Sequence, residues 1–114
     1  MKSPLPLPGH KVRGSRTGRP IMAALDLLGR RGALRVIWEL REGRVLTFRA
    51  LVTACDLPPA TLNARIKELR EAMLIAPEDG YRLTPLGVAL FEAFAPFERW
   101  SRQWAKAVPG LISE

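Results

Sequence analysis

Between Pro59 and Met73 the side chains sort into two sets suited to different chemistry. Leu62, Ile66, Leu69 and Met73 recur at intervals of four, three and four, the period of one apolar helix face. A 3.6-residue turn then places Ala60, Ala64 and Lys67 on the opposite side, with Thr61 and Asn63 on the flanks and Arg65 nearer the core margin. An asparagine amide can pair in bidentate fashion with an adenine edge, and Arg65 or Lys67 can reach a guanine edge or a phosphate. Small residues such as Ala60 and Ala64 let a backbone come close and touch a thymine methyl. The pattern suits a helix entering the DNA major groove; a plain solvated face is the alternative. Glu68 and Glu71 would meet phosphates badly, so they are expected at the far end of any contact or paired with Arg65 and Arg70.

Other chemistries fare worse. The one histidine, His10, lies near the N-terminus, the one cysteine, Cys55, has no histidine beside it in the apolar part of the chain, and there is no glycine-rich phosphate loop. The sequence therefore reads as a non-enzyme without a cofactor. One cysteine and one histidine make neither an internal disulfide nor a structural zinc set. Cys55, at the end of an apolar helix, reads as a buried core thiol. No apolar run of eighteen residues exists, and the N-terminus has no apolar stretch of secretory length, so the expectation is an intracellular, cytoplasmic, nucleoid-associated protein with no membrane partner.

The positive charge is unevenly placed. The chain of 114 residues carries a formal charge of +7, but residues 1–19 hold Lys2, Lys11, Arg13, Arg16 and Arg19 with no acid and so contribute +5 of it. That stretch is rich in Pro, Gly and Ser and has no hydrophobic period, as expected of a flexible basic arm. Arg16 and Arg19 flank Thr-Gly ahead of Pro20, a spacing compatible with minor-groove insertion; a solvated tail with no role is the alternative. The expected organisation is an arm over 1–19, one domain over 20–108 and a tail over 109–114.

A mainly α chain with one small hairpin is needed to position these groups. Pro20 opens a helix on which Ile21, Leu25 and Leu28 share a face and which Gly29 ends. A second helix carries Leu34, Ile37, Trp38 and Arg41 as a stripe before Glu42–Gly43. Leu46 starts a short strand, and Thr47 caps a third helix ending near Cys55–Asp56, with Leu51 and Val52 inward. Leu57–Pro58–Pro59 turns into the helix described above. Leu74–Ile75–Ala76 and Tyr81–Arg82–Leu83 form a hairpin about Pro77–Glu78–Asp79–Gly80. Thr84–Pro85 launches a last helix with Leu86, Leu90, Phe94, Phe97, Trp100 and Trp104 along one side, bent or restarted at Pro96. Three helices, a hairpin and a closing helix make a winged helix-turn-helix whose central pair is Thr47–Cys55 and Pro59–Met73.

The stretches RPIMAALDLLG (19–29), LRVIWELREG (34–43), LTFRALVTACDLPPATLNARIKELREAMLI (46–75) and GYRLTPLGVAL (80–90), followed by Trp100, resemble the HxlR-type family of bacterial winged-helix transcription regulators. The likeness spans about 20–104 and implies a homodimer that binds operator DNA. Two positions depart from it. Many members carry a cysteine before the proline of the first helix, where this chain has Arg19, and the usual Arg-Trp pair opening the second helix is replaced around Arg31–Gly32.

Phosphates, which fix register without reading sequence, are expected to meet Arg44, Arg49 and Arg82. The wing tip, Glu78–Asp79–Gly80, is acidic where minor-groove contact would favour Arg or Lys. The aromatic run at the C-terminus exceeds what so small a domain can bury alone, so Ile21, Leu25, Phe94, Phe97, Trp100 and Trp104 are expected to form a homodimer seam, with ordinary core and a small-molecule pocket as the alternatives. A two-fold dimer would set its reading helices about 34 Å apart. The reading is a sequence-specific double-stranded DNA-binding regulator. Its rivals are a winged-helix protein-interaction module and a nonspecific basic DNA packager. The effector, if there is one, is not legible.

Overall fold

The computed structural model describes residues 19–110, which form helices α1 (Pro20–Leu28), α2 (Ala33–Glu39), α3 (Phe48–Cys55) and α4 (Pro59–Glu71), strands β1 (Ile75–Pro77) and β2 (Tyr81–Leu83), and helices α5 (Pro85–Ala93) and α6 (Ala95–Ala107). Local chemistry sets the boundaries. The Thr47 hydroxyl accepts a hydrogen bond from the Ala50 amide at 3.1 Å and so starts α3. Asp56, in the left-handed region at φ 51°, ends that helix, and Pro59 opens α4 where a missing N–H costs nothing.

Leucines at the meeting point of α2, α3 and α4 make the core: Leu40, Leu51, Leu62 and Leu69 are fully buried together with Val36. Each such side chain contributes roughly 1.5–3 kcal/mol through its burial. Ile75 and Leu83 close the core from the hairpin, and Leu90 and Phe91 pack on it from α5. The strands pair antiparallel with Ile75 opposite Leu83 and Pro77 opposite Tyr81, while Leu46 adds a single bridge to Tyr81. Gly80 permits that bridge, since a Cβ there would lie 2.7 Å from the Leu46 carbonyl oxygen.

The segment Thr84–Gly87 fastens the wing to the helical core. The Thr84 amide donates to the Leu74 carbonyl at 3.0 Å, and its hydroxyl both donates to the Met73 carbonyl at 2.7 Å and accepts from the Gly87 amide at 3.0 Å. Gly87 allows the approach, because a Cβ on it would sit 2.1 Å from the Leu74 oxygen.

Three sequence expectations need correction. Met73 does not extend the apolar face of α4: the helix ends at Glu71, and Met73 turns outward at φ 65° with 70% of its surface exposed. The inward face of α2 is Ala33, Val36, Ile37 and Leu40, so of the expected stripe only Ile37 enters the core while Leu34 and Trp38 stay half open. Leu86 faces solvent instead of joining Leu90. The last helix restarts at Pro96, one of the two outcomes expected there: α5 ends at Ala93 and α6 begins with Pro96 in its first turn, where the ring does not break the hydrogen-bond ladder. Among the described residues no helix is long and apolar enough to cross a membrane.

Candidate nucleic-acid interface

The face expected to meet DNA lies on α4, held from behind by Leu62, Ile66 and Leu69. Ala60, Asn63 and Lys67 are exposed, one turn apart along the front of the helix, and Thr61 and Ala64 are half-buried beside them. No side chain caps the helix start, so the first amides of α4 keep their donors for an incoming group. Neither Asp nor Glu stands on the first two turns; the acids of α4, Glu68 and Glu71, come at its far end.

Arg65 behaves differently from its sequence reading. Its side chain is only 17% exposed and turns toward the α1–α2 link. Its Nε meets Glu68 Oε1 at 2.9 Å, and its Nη1 donates to the Arg31 carbonyl at 3.3 Å. The charge is thus spent inside the protein, and Arg65 is withdrawn as a base or phosphate contact. The expected pairing of Glu68 with Arg65 is present, and Glu68 also takes Arg30 Nη1 at 2.8 Å. Arg30, 38 residues from Glu68 in the chain, is the site-shaping residue that sequence reasoning missed. Its only sequence mark is its place in the link before Gly32.

The other expected phosphate contacts stand on separate elements. Arg49 is exposed on α3. Arg44 lies 3.5 Å from a Glu39 carboxylate oxygen, which draws off part of its charge. Arg82 pairs with Glu78 across the hairpin, so the wing presents little net positive charge. Arg19 is exposed, and its carbonyl accepts the Met22 and Ala23 amides at the start of α1; Arg16 lies outside the described residues.

The crystal structure of quinone-bound YodB from B. subtilis superposes with a TM-score of 0.66 at 27% identity, over 73% of this chain and 96% of YodB. The fold is a winged helix of the transcription-regulator type. In this winged helix α3 and α4 are the helix-turn-helix, β1 and β2 the wing, and α1, α5 and α6 the flanking helices. No family model and no curated protein matches the chain.

The flanking helices carry a second surface. On α1, Ile21 and Leu25 are 61% and 59% exposed while Ala23 and Leu27 point inward. No side chain of α6 is buried: Phe97, Trp100 and Trp104 stack in sequence with ring centroids 5.5 Å apart, and Phe94 meets Phe97 edge-on at 5.9 Å. Phe91 belongs to the core margin instead, tilted against Trp38 at 5.8 Å, and the Arg41 guanidinium covers Trp38 at 4.2 Å. Cys55 is buried at the end of α3, where desolvation, reinforced by Glu39 and opposed by Arg35, pushes its thiol above the usual value.

Proposed function

We propose that this chain is an HxlR-type regulator of transcription that binds double-stranded operator DNA as a homodimer, with no catalytic role. One observation carries the reading: α4 presents a front free of acids over its first two turns, bearing Ala60, Asn63, Ala64 and Lys67, on a helix fixed by three buried side chains. In the major groove, Asn63 takes an adenine edge, Lys67 a guanine edge or a phosphate, and Ala60 and Ala64 admit close approach, with Thr61 at the flank. Arg49, Arg44 and the basic N-terminal segment with Arg16 and Arg19 hold phosphates, and Arg82 adds little because Glu78 shares its charge. The exposed apolar faces of α1 and α6 support the dimer: Ile21 and Leu25 of one copy cover the row Phe94, Phe97, Trp100 and Trp104 of the other.

The test is binding to the DNA upstream of the protein's own gene against random DNA at two salt concentrations, with Asn63→Ala and Lys67→Ala beside the parent. Asn63→Ala is expected to weaken operator binding tenfold or more, about 1.4 kcal/mol, within the roughly 1–3 kcal/mol of a good bidentate pair, and to leave random-DNA binding unchanged. Lys67→Ala weakens both classes of DNA if it serves a phosphate. Circular dichroism must show both variants folded. Equal operator affinity for parent and both variants removes α4 as the reading element, and no retention of any DNA leaves the protein-interaction reading.

A further inference from the structure

Behind the reading face lies a chain of charges that phosphate contact does not use. Asp26 on α1 meets Arg30 Nη2 at 3.7 Å, Arg30 Nη1 donates to Glu68 Oε2 at 2.8 Å, and Glu68 Oε1 meets Arg65 Nε at 2.9 Å. Arg65 then returns to the carbonyl of Arg31, closing a loop between α4 and the α1–α2 link. All four side chains are about four-fifths covered. Within this cluster of four side chains two carboxylates offset two guanidinium groups, so together they offer a phosphate no net positive charge. Its geometry does something else: it bolts one side of α4 to the end of α1.

The link itself has little freedom. Gly32 stands at φ 86° with no room for a Cβ, which would lie 2.4 Å from Leu57 Cδ1 in the turn ahead of α4. Ala33 donates to the Arg30 carbonyl at 3.0 Å and Arg30 to that of Leu27 at 3.3 Å, so Arg30 sits on a fixed platform. The other side of α1 bears the exposed Ile21 and Leu25. A load placed on that side passes through Arg30 to Glu68, on the helix that carries Asn63 and Lys67.

We infer that Glu68 is a positioning residue for DNA reading, which transmits the docking of a second copy on α1 into the pitch of α4 and so fixes the separation of the two reading helices. The inference rests on the function proposed above. Partly covered ion pairs suit this role: when one partner is removed the others are left poorly solvated, so the elements shift until water reaches them. Arg65 serves the same role, its guanidinium held against the far oxygen of the carboxylate as an ion pair in which neither Nε nor Oε1 gains a hydrogen bond.

The experiment compares the full-length parent with Glu68→Gln, Arg30→Gln and the double variant. The probe is a palindromic duplex selected by the parent from random-sequence DNA, together with duplexes whose half-sites are moved apart or together by one base pair. The parent is expected to lose affinity steeply when the spacing changes. Glu68→Gln should bind the selected duplex about tenfold more weakly, in the ordinary range for coupled sites, yet hold nearly the same affinity across the three spacings. Arg30→Gln, which leaves the Arg65–Glu68 contact intact, should do the same, and the double variant should be no worse than either single one. A purely structural brace predicts otherwise: a lower melting temperature with the parent's steep spacing profile retained, which overturns the inference.

A second readout needs no DNA. Amide exchange across Leu62–Leu69 should slow when the parent is concentrated through its dimerisation range, and Glu68→Gln should lose that slowing while keeping it on α1 and α6. Retention of the slowing in the variant overturns the inference. A parent that neither dimerises nor discriminates among DNA sequences overturns the functional reading, and the inference with it. A parent that does both while Glu68→Gln and Arg30→Gln match it in every measurement overturns the inference alone.

Discussion

Gly87→Ala separates two opposing effects whose magnitudes differ. Gly87 lies in the first turn of α5 with ordinary helical geometry, and by helix propensity alone alanine would stabilise the helix by about 1 kcal/mol. The added methyl, however, would lie 2.1 Å from the Leu74 carbonyl oxygen and 3.2 Å from Leu83 Cδ2. A comfortable carbon–oxygen approach is about 3.3 Å, so α5 must retreat by roughly 1 Å from a backbone atom that cannot bend aside. That retreat breaks or stretches the Thr84 bonds to the Leu74 and Met73 carbonyls, each worth about 0.5–1.5 kcal/mol. The crowding itself costs about 1–3 kcal/mol. After the propensity gain is subtracted, the variant should be less stable by roughly 1–5 kcal/mol, a large share of the 5–15 kcal/mol typical of a domain. At about 4–8 °C per kcal/mol for a domain of this size, the melting temperature should fall by at least about 4 °C, and by about 12–24 °C at the middle of that range, in a circular-dichroism melt. A variant that melts with the parent or above it would refute the close approach of α5 to the α4–β1 elbow.

Three further outcomes are expected. Trp104→Glu places a charge in the exposed aromatic row of α6 and should shift the protein toward monomer in sedimentation, with the core melt unchanged; a parent already monomeric at micromolar concentration rules the seam out. Removal of residues 2–18 takes away four positive charges, so affinity for all DNA should fall alike, and the slope of log affinity against log salt should shrink by up to about 0.9 for each phosphate those charges neutralise; an unchanged slope makes the segment a bystander. Cys55 holds its proton more tightly folded than unfolded, so the stability this provides is complete below its ordinary value near 9.0 and is lost as pH rises through the higher folded value. Denaturant midpoints for Cys55→Ala should therefore decline less steeply above about pH 9 than the parent's, and identical alkaline slopes would contradict the burial of the thiol.

Local chemistry is the readable part of this sequence. Thr47 and Thr84 announce their helices because a hydroxyl ahead of an apolar run has few better uses than capping, and both make the expected bond. Leu62, Ile66 and Leu69 are legible because their spacing admits a single buried face. Periodicity misleads where it leaves two answers. Met73 continues the interval of α4, but the chain must reverse into β1 there, and the left-handed turn at that residue swings the side chain out. On α2, large residues occupy two adjacent stripes; the size of Trp38 argues for an inward place, whereas Val36 and Leu40 fit the narrow space against α3 and α4. Arg65 is legible only in part: its pairing with Glu68 three residues on is expected, but its turn to the Arg31 carbonyl and the link through Glu68 to Arg30 are not, since nothing local marks a contact across 34 or 38 residues.

The stacked rings of α6 give the protein a usable optical handle. Its three tryptophans divide by location: Trp38 sits on α2 between Phe91 and the Arg41 guanidinium, whereas Trp100 and Trp104 lie on α6 with near-parallel rings 5.5 Å apart. Two indoles that close share their excitation, so their emission registers any fraying of α6 while Trp38 registers the body of the domain. In Trp38→Phe every tryptophan photon comes from the one helix that buries nothing in its own chain. Fluorescence followed on dilution would then track that helix separately from the melting of the leucine core, without any added label.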